Sequence, residues 1–205
     1  MQNNLFVTGN GTGIGKTVVS AILAEALTAD YWKPIQAGDL DLSDSMTVSS
    51  LVTNSQTRVH PESYRLTQPM SPHAAAIRDG IAIELSQFRM PKTSRPLIIE
   101  GAGGLLVPLN RNETIIDLIS YLEAPVLFVS QHYLGSINHT LLSLEALERR
   151  NIPIQGIIFV GEPNPDTETI IIHMSKQKML GRIAWEDEIS PALVSQYARL
   201  LREVL

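Results

Sequence analysis

Short apolar runs alternate with longer stretches of helical period along this chain. The runs at residues 5–8, 31–34, 96–100, 125–130, 154–160 and 180–183 are rich in β-branched and aromatic side chains, and several are apolar throughout. Unbroken apolar runs suit strands buried on both faces of a parallel sheet, where a half-exposed strand would alternate. Between them, apolar positions recur at helical spacing over 16–27, 45–52, 114–122, 137–149, 166–174 and 191–204. The alternation predicts an α/β fold, a mostly parallel sheet flanked by helices on both faces. Residues 54–90, with Pro61, Pro69 and Pro72, are the least regular stretch. No repeat, low-complexity segment or linker interrupts the rhythm, so residues 1–205 are expected to form one domain.

Composition narrows the function classes. Hydrophobic residues make up 44% and charged residues 18%, as in an ordinary globular chain. The formal net charge is −5 and no run of Lys or Arg stands out, so no nucleic-acid partner is expected. No apolar stretch approaches the roughly 20 residues that span a bilayer, and the first residues lack a signal pattern. The expectation is a cytoplasmic protein without membrane attachment. Cysteine is absent, which excludes disulfides, thiolate metal sites and cysteine nucleophiles, and the five histidines show no metal-ligand spacing.

The first chemical signal is Gly9-Asn10-Gly11-Thr12-Gly13-Ile14-Gly15-Lys16-Thr17, placed between an apolar run and a helical one. It is read as the phosphate-loop pattern G-x-x-x-x-G-K-[ST] of P-loop nucleotide-binding folds. Glycines let the backbone wrap a phosphate while N–H groups at the helix start, here Ile14 to Val18, point at it. Lys16 supplies a charge for the terminal phosphates, and the Thr17 hydroxyl is placed for Mg²⁺. The expected ligand is ATP with Mg²⁺.

Three further positions can complete such a site. Lys33 stands at the end of the 31–34 run, where the carboxyl ends of parallel strands line a ligand crevice. It is either a solvated strand-end lysine or a phosphate contact. Asp44, in Ser43-Asp44-Ser45, is either a helix cap or a metal ligand. Glu100 ends an apolar run and turns directly into Gly101-Ala102-Gly103-Gly104. It is either a turn carboxylate facing solvent or the partner of a cation, and Mg²⁺ on a triphosphate, held by Thr17, Asp44 and Glu100, meets that second need.

Taken together, these residues resemble the dethiobiotin synthetase family. The resemblance runs along nearly the whole chain: the 9–17 loop, Lys33-Pro34 with Gly38, Ser43-Asp44, Ser71-Pro72-His73, Glu100-Gly101-Ala102-Gly103-Gly104 with Val107-Pro108-Leu109, Leu134-Gly135-Ser136-Ile137-Asn138-His139, and Leu180-Gly181 ahead of Trp185. It implies ATP-dependent cyclisation of a vicinal diamine, 7,8-diaminopelargonate, with CO₂ or bicarbonate, through a carbamate and its phosphorylated form. Lys16 and Lys33 would hold the transferring phosphate and the carbamate. Thr12, Gly13, Ile14, Gly15, Lys16, Thr17, Val18, Asp44, Glu100, Gly101, Ala102 and Gly103 would contact ATP; Ala37, Ser71, Ser136 and Asn138 would contact the diamine. The resemblance also implies a homodimer with the substrate carboxylate received at the interface by Gly135-Ser136-Ile137-Asn138 of the neighbouring subunit. By residue type alone, that segment and Ser71-Pro72 read equally well as helix starts.

Other readings of the loop exist within the same superfamily. A partitioning-type ATPase typically carries an additional lysine early in the loop, where this chain has Asn10-Gly11, and attaches to DNA or membrane. A glutamine-fed ligase would need a glutaminase segment, and none is seen.

Three positions depart from the family pattern: Gly13 replaces a frequent acidic residue, Ala37 a hydroxyl residue, and Val160 an asparagine that reads the adenine. Valine offers no hydrogen bond to a base. The expected outcome is weak discrimination among nucleoside triphosphates, or reading of the base by backbone groups alone. In a comparison of kcat/KM for ATP, CTP and GTP, a preference for ATP above roughly a thousandfold would overturn it.

Overall fold

The structure is a computed structural model and describes residues 4–205. Strands β1 (Leu5–Gly9), β2 (Asp30–Trp32), β3 (Ile35–Ala37), β4 (Val59–His60), β5 (Tyr64–Leu66), β6 (Leu97–Glu100), β7 (Val126–Gln131), β8 (Ile154–Val160) and β9 (Met179–Ile183) alternate with helices. The helices are α1 (Lys16–Leu27), α2 (Asp44–Leu51), α3 (Pro72–Asp79), α4 (Ile115–Leu122), α5 (Ser136–Arg149), α6 (Pro165–Ser175) and α7 (Pro191–Arg202). Seven strands form one parallel sheet in the order β4-β2-β6-β1-β7-β8-β9, and β3 pairs in parallel with β5 in a small second sheet.

Successive side chains of a strand point to opposite faces, so an unbroken apolar run feeds two cores. Val7, Tyr31, Ile98, Leu127 and Ile158 face α1, α2 and α7. Phe6, Trp32, Ile99, Phe128 and Phe159 face the other layer, with α3, α4, α5 and α6. The α/β reading therefore holds, with a mostly parallel sheet between helical layers.

Most boundaries lie within two residues of those expected. The run at 31–34 is shorter as a strand, because Pro34 has no N–H to give the ladder. The chain leaves the main sheet after Trp32, and β3 begins the second sheet. Residues 54–90 hold more regular structure than their pattern signals: β4, β5 and α3, with a 3₁₀ turn at Leu85–Gln87. Strands of two or three residues leave no periodicity to detect.

The sheet edge is tied by one buried carboxylate. Asp30, 1% exposed, accepts from the Arg58 N–H at 3.1 Å, lies 3.0 Å from His60 Nε2 and 3.6 Å from the Arg95 guanidinium. It thereby joins β2, β4 and the entry to β6. Burial alone would push its pKa up, but hydrogen bonds from His60, Thr93 and Arg58 outweigh that and hold it below the ordinary value of 3.8. A depressed folded-state pKa means that its contribution is present above pH 3.8 and is lost as pH falls through the folded value. Asp30→Asn is expected to cost about 2 kcal/mol at pH 7, read from the urea midpoint. Its stability should also fall less steeply than that of the parent between pH 5 and 3. Equal acid slopes would contradict the assignment.

Candidate active site

The strand alternation that buries Tyr31 and Ile98 toward α1 sends the residues two further on, Lys33 and Glu100, toward the same layer. Both come out at the carboxyl ends of neighbouring strands, beside the start of α1. Thr17, in the first turn of α1, and Asp44, the first residue of α2, meet them there. The Thr17 hydroxyl lies 3.0 Å from Asp44 Oδ1 and 3.0 Å from Glu100 Oε1, with one proton to donate to either. Lys33 Nζ lies 2.5 Å from Asp44 Oδ2 and 2.9 Å from Glu100 Oε1. Lys33 and Glu100 are buried, at 5% and 1% exposure.

The capping role open to Asp44 is taken by its neighbour. Ser43 is the cap of α2 and accepts from the Met46 N–H at 3.3 Å, which leaves the Asp44 carboxylate free to face Lys33 and Thr17. Burial works against its charge, but the Lys33 ammonium prevails and the pKa is lowered. For Lys33, burial pulls the pKa down, while Glu100 and Asp44 outweigh it and raise it. Lys33 therefore lies buried between two carboxylates that favour its charged form, and is not a solvated strand-end lysine.

The phosphate loop is one residue longer than the pattern in which it was read. Five residues separate Gly9 from Gly15, and Asn10 stands where G-x-x-x-x-G-K-[ST] has its first glycine. Gly9 serves packing: a β-carbon there would lie 2.2 Å from the Val129 carbonyl oxygen of β7. Asn10 ties the loop outward, its side chain donating to Thr140 Oγ1 at 3.3 Å. Gly15, at φ 88°, is the residue before α1, a left-handed conformation that glycine adopts readily. Lys16 is buried and donates to the Gly11 carbonyl at 2.6 Å. Desolvation is the main force on it, opposed by Glu100, and its pKa falls to about 8.

These groups open into one cleft of about 610 Å³. Its walls include Thr12, Gly13, Ile14, Gly15, Lys16, Thr17, Val18, Lys33, Ala37, Asp44, Ser71, Glu100, Ala102 and Gly103. Three residues expected at the site do not line it. Gly101 sits behind it, where its N–H donates to the Val7 carbonyl at 2.9 Å and a β-carbon would lie 2.8 Å from the Phe6 ring. Ser136 and Asn138 line a separate depression at the start of α5; Ser136 is 2% exposed, whereas Asn138 is open to solvent. Ser71 precedes α3, with Pro72 in its first turn as expected, but its hydroxyl makes no capping bond. Val160 closes a small slot of about 130 Å³ with Gly13, Gly15, Val18, Ile183 and Trp185.

Pattern reading missed two buried groups around the carboxylates. The Tyr31 hydroxyl donates to Glu100 Oε2 at 2.8 Å. Gln36 accepts from the Asp44 N–H at 3.2 Å and donates to the Gly38 carbonyl at 3.0 Å, so it fixes the start of α2. Tyr31 passed as one more apolar strand residue, although its place two before Lys33 assigns it the same face. Gln36 is a lone polar side chain in Ile35-Gln36-Ala37, and that was its signal.

A hydroxyl and two carboxylates facing a polyphosphate cradle are the hard oxygen donors that Mg²⁺ takes, with phosphate and water completing the shell. Among the described residues, no group of three or more His, Cys, Asp or Glu forms a metal cage of protein donors alone. None of their helices is long and apolar enough to cross a membrane.

Known proteins bear on this arrangement. A family model described as an AAA domain matches residues 3–192. An ATP-dependent dethiobiotin synthetase of Christiangramia forsetii is 54% identical over 205 residues, covering 100% of this chain and 99% of that one. One of Brucella ovis is 50% identical over 191 residues, covering 93% and 90%. Among solved structures, a ParA-family ATPase of Chlorobium tepidum superimposes with TM-score 0.60 at 14% identity, over 99% of this chain and 96% of that one. The cell division ATPase MinD of Pyrococcus furiosus gives 0.57 at 12%, over 100% of both. At such identities the likeness is one of fold alone. Identity of half or more along nearly the whole length is a different matter: the chain belongs to the ATP-dependent dethiobiotin synthetase family.

Proposed function

We propose that residues 1–205 act as one catalytic domain, cytoplasmic and dimeric, that closes the ureido ring of dethiobiotin from 7,8-diaminopelargonate, CO₂ and ATP. The observation that carries this reading is the meeting of Lys33, Thr17, Asp44 and Glu100 within 3.0 Å contacts at the mouth of the phosphate loop, in one cleft with Ala37 and Ser71. Family membership supports the same activity.

The chemistry asks for little covalent help. One amine of the diamine adds to CO₂ and gives a carbamate. A carbamate oxygen attacks the γ-phosphorus of ATP, and ADP leaves. The second amine then attacks the carbonyl carbon; the C–O bond to phosphate breaks, the amine loses its proton, and the ring closes. Each step brings anions together, so catalysis is mostly positioning and charge neutralisation. Loop N–H groups and Lys16 hold the triphosphate. Lys33 presents its ammonium to the carbamate and the transferring phosphoryl group. Thr17, Asp44 and Glu100 would hold Mg²⁺, which supplies positive charge to the phosphate oxygens.

Ser136 and Asn138 lie outside their own chain's cleft, and a second copy is proposed to bring them to it. There the free N–H groups and dipole at the start of α5 favour the substrate carboxylate.

The test is direct. Protein incubated with the diamine, bicarbonate, Mg²⁺ and ATP should yield the ring product and phosphate in equal amounts. Absence of diamine-stimulated ATP turnover would reject the reading. Lys33→Ala should lower kcat by about a thousandfold with an unchanged circular dichroism spectrum; near-parental activity would make Lys33 structural only.

Lys16 predicts a proton linkage. Its pKa is lowered to about 8 in the free protein, and the negative charge of a bound triphosphate would raise it. Binding of ATP should therefore take up about half a proton at pH 8 and approach one at pH 9, with affinity falling as pH rises. Calorimetry in buffers of different ionisation enthalpy reads this number. Uptake that is zero, or unchanged in Lys16→Met, would remove Lys16 from the linkage.

A further inference from the structure

The two oxygens of the Glu100 carboxylate have different surroundings. Oε1 meets Lys33 Nζ at 2.9 Å and Thr17 Oγ1 at 3.0 Å, on the side of the cleft. Oε2 turns into the protein and accepts from the Tyr31 hydroxyl at 2.8 Å. Among the described residues, no other side chain donates a hydrogen bond to Oε2. Tyr31 is 0% exposed and pairs in register with Ile98, so its ring is set by β2 and by the core against α1 and α2.

A glutamate's terminal torsion is broad and roughly two-fold, so the strand backbone alone does not orient the carboxylate plane. A buried donor on one oxygen does. We propose that Tyr31 is a positioning residue: its phenol anchors Oε2 and thereby aims Oε1 at Thr17, Lys33 and the metal. This inference rests on the reading of Glu100 as a metal ligand. Outer-shell partners of this kind typically change metal affinity or activity by about 10–100-fold.

A purely structural tyrosine would behave differently. Its place in the core shared with Ile98 and Val48 depends on the ring, which Tyr31→Phe keeps. What that substitution removes is one oxygen, and it leaves the buried Oε2 without a partner.

The experiment measures Mn²⁺ binding, by electron paramagnetic resonance, to full-length protein holding a non-hydrolysable ATP analogue. Tyr31→Phe, Glu100→Gln and the parent are compared, each verified as folded by circular dichroism. The expected result for Tyr31→Phe is an Mn²⁺ dissociation constant raised about tenfold or more. The Mg²⁺ concentration for half-maximal turnover should rise in parallel, and metal-free binding of the analogue should stay unchanged. Mn²⁺ affinity within twofold of the parent in Tyr31→Phe, alongside a large loss in Glu100→Gln, would overturn the role of Tyr31 alone. Unchanged affinity in both variants would overturn the reading of Glu100 as a ligand, and this inference with it. Equal weakening of metal binding and metal-free nucleotide binding in Tyr31→Phe would show a general loosening of the cleft, and the proposal would fall.

Discussion

One ammonium meets two carboxylates within 3 Å, with Lys33 and Glu100 withdrawn from water and Asp44 partly open to it, and the rest of the site is arranged around that constraint. Glu100 and Lys33 are almost fully buried, and Asp44 closes the group from α2. Burying charge is costly, and a buried ion pair is weak support for stability when an apolar cluster of the same size would serve. Its presence at the carboxyl ends of β2 and β6 accords with the proposed chemistry and obliges the fold to supply partners. Each carboxylate needs a cation, so Lys33 cannot point elsewhere. For Asp44 to reach Lys33, the chain must leave the main sheet after Trp32, pass through β3 and start α2 at the right place. Gln36 and the Ser43 cap fix that start.

The same constraint separates two lysines that look alike in sequence. Lys33 sits between anions, and its charge is reinforced. Lys16 is equally buried, but its close partner is the neutral Gly11 carbonyl, and its pKa drops to about 8. Desolvation acts on both, and the nearby carboxylates decide the sign. One lysine is thus a fixed cation that the protein has already neutralised. The other has its strongest partner still to come, and a triphosphate fits that description. This division accords with the proposed phosphate contact of the loop lysine and the proposed place of the strand-end lysine beside the reacting groups.

Long periodic elements were legible from pattern alone. The apolar runs at 96–100, 125–130 and 154–160 became the central strands, because only a doubly covered strand is apolar on both faces. Lys16, Thr17 and Glu100 were visible because each breaks the chemistry of its surroundings. What was hidden is local and short. β4 and β5 hold two and three residues, too few for a period. Gly9 was assigned to the phosphate loop, yet it is glycine because β7 passes too close for a β-carbon. Gly101 was grouped with its neighbours, but it backs onto Phe6 rather than the cleft. In both cases a motif marks a place, whereas the reason for each residue in it lies with a neighbour distant in sequence.

Neutral residues carry the geometry that the charged ones use. Tyr31, Gln36 and Asn10 contribute no net charge; Tyr31 and Gln36 belong to no pattern that signals phosphate or metal, and Asn10 stands in the loop where the pattern has glycine. Yet each ties a functional element to something rigid: Tyr31 links Glu100 to β2, Gln36 links Asp44 to β3, and Asn10 links the phosphate loop to α5. A charged group aimed wrongly by an ångström loses much of its effect, since catalysis by electrostatics depends on dipoles and ions set in advance. Charge in this site is abundant and partly self-cancelling. Direction is the scarcer quantity, and it is supplied by hydrogen bonds whose donors and acceptors read as ordinary strand and loop residues.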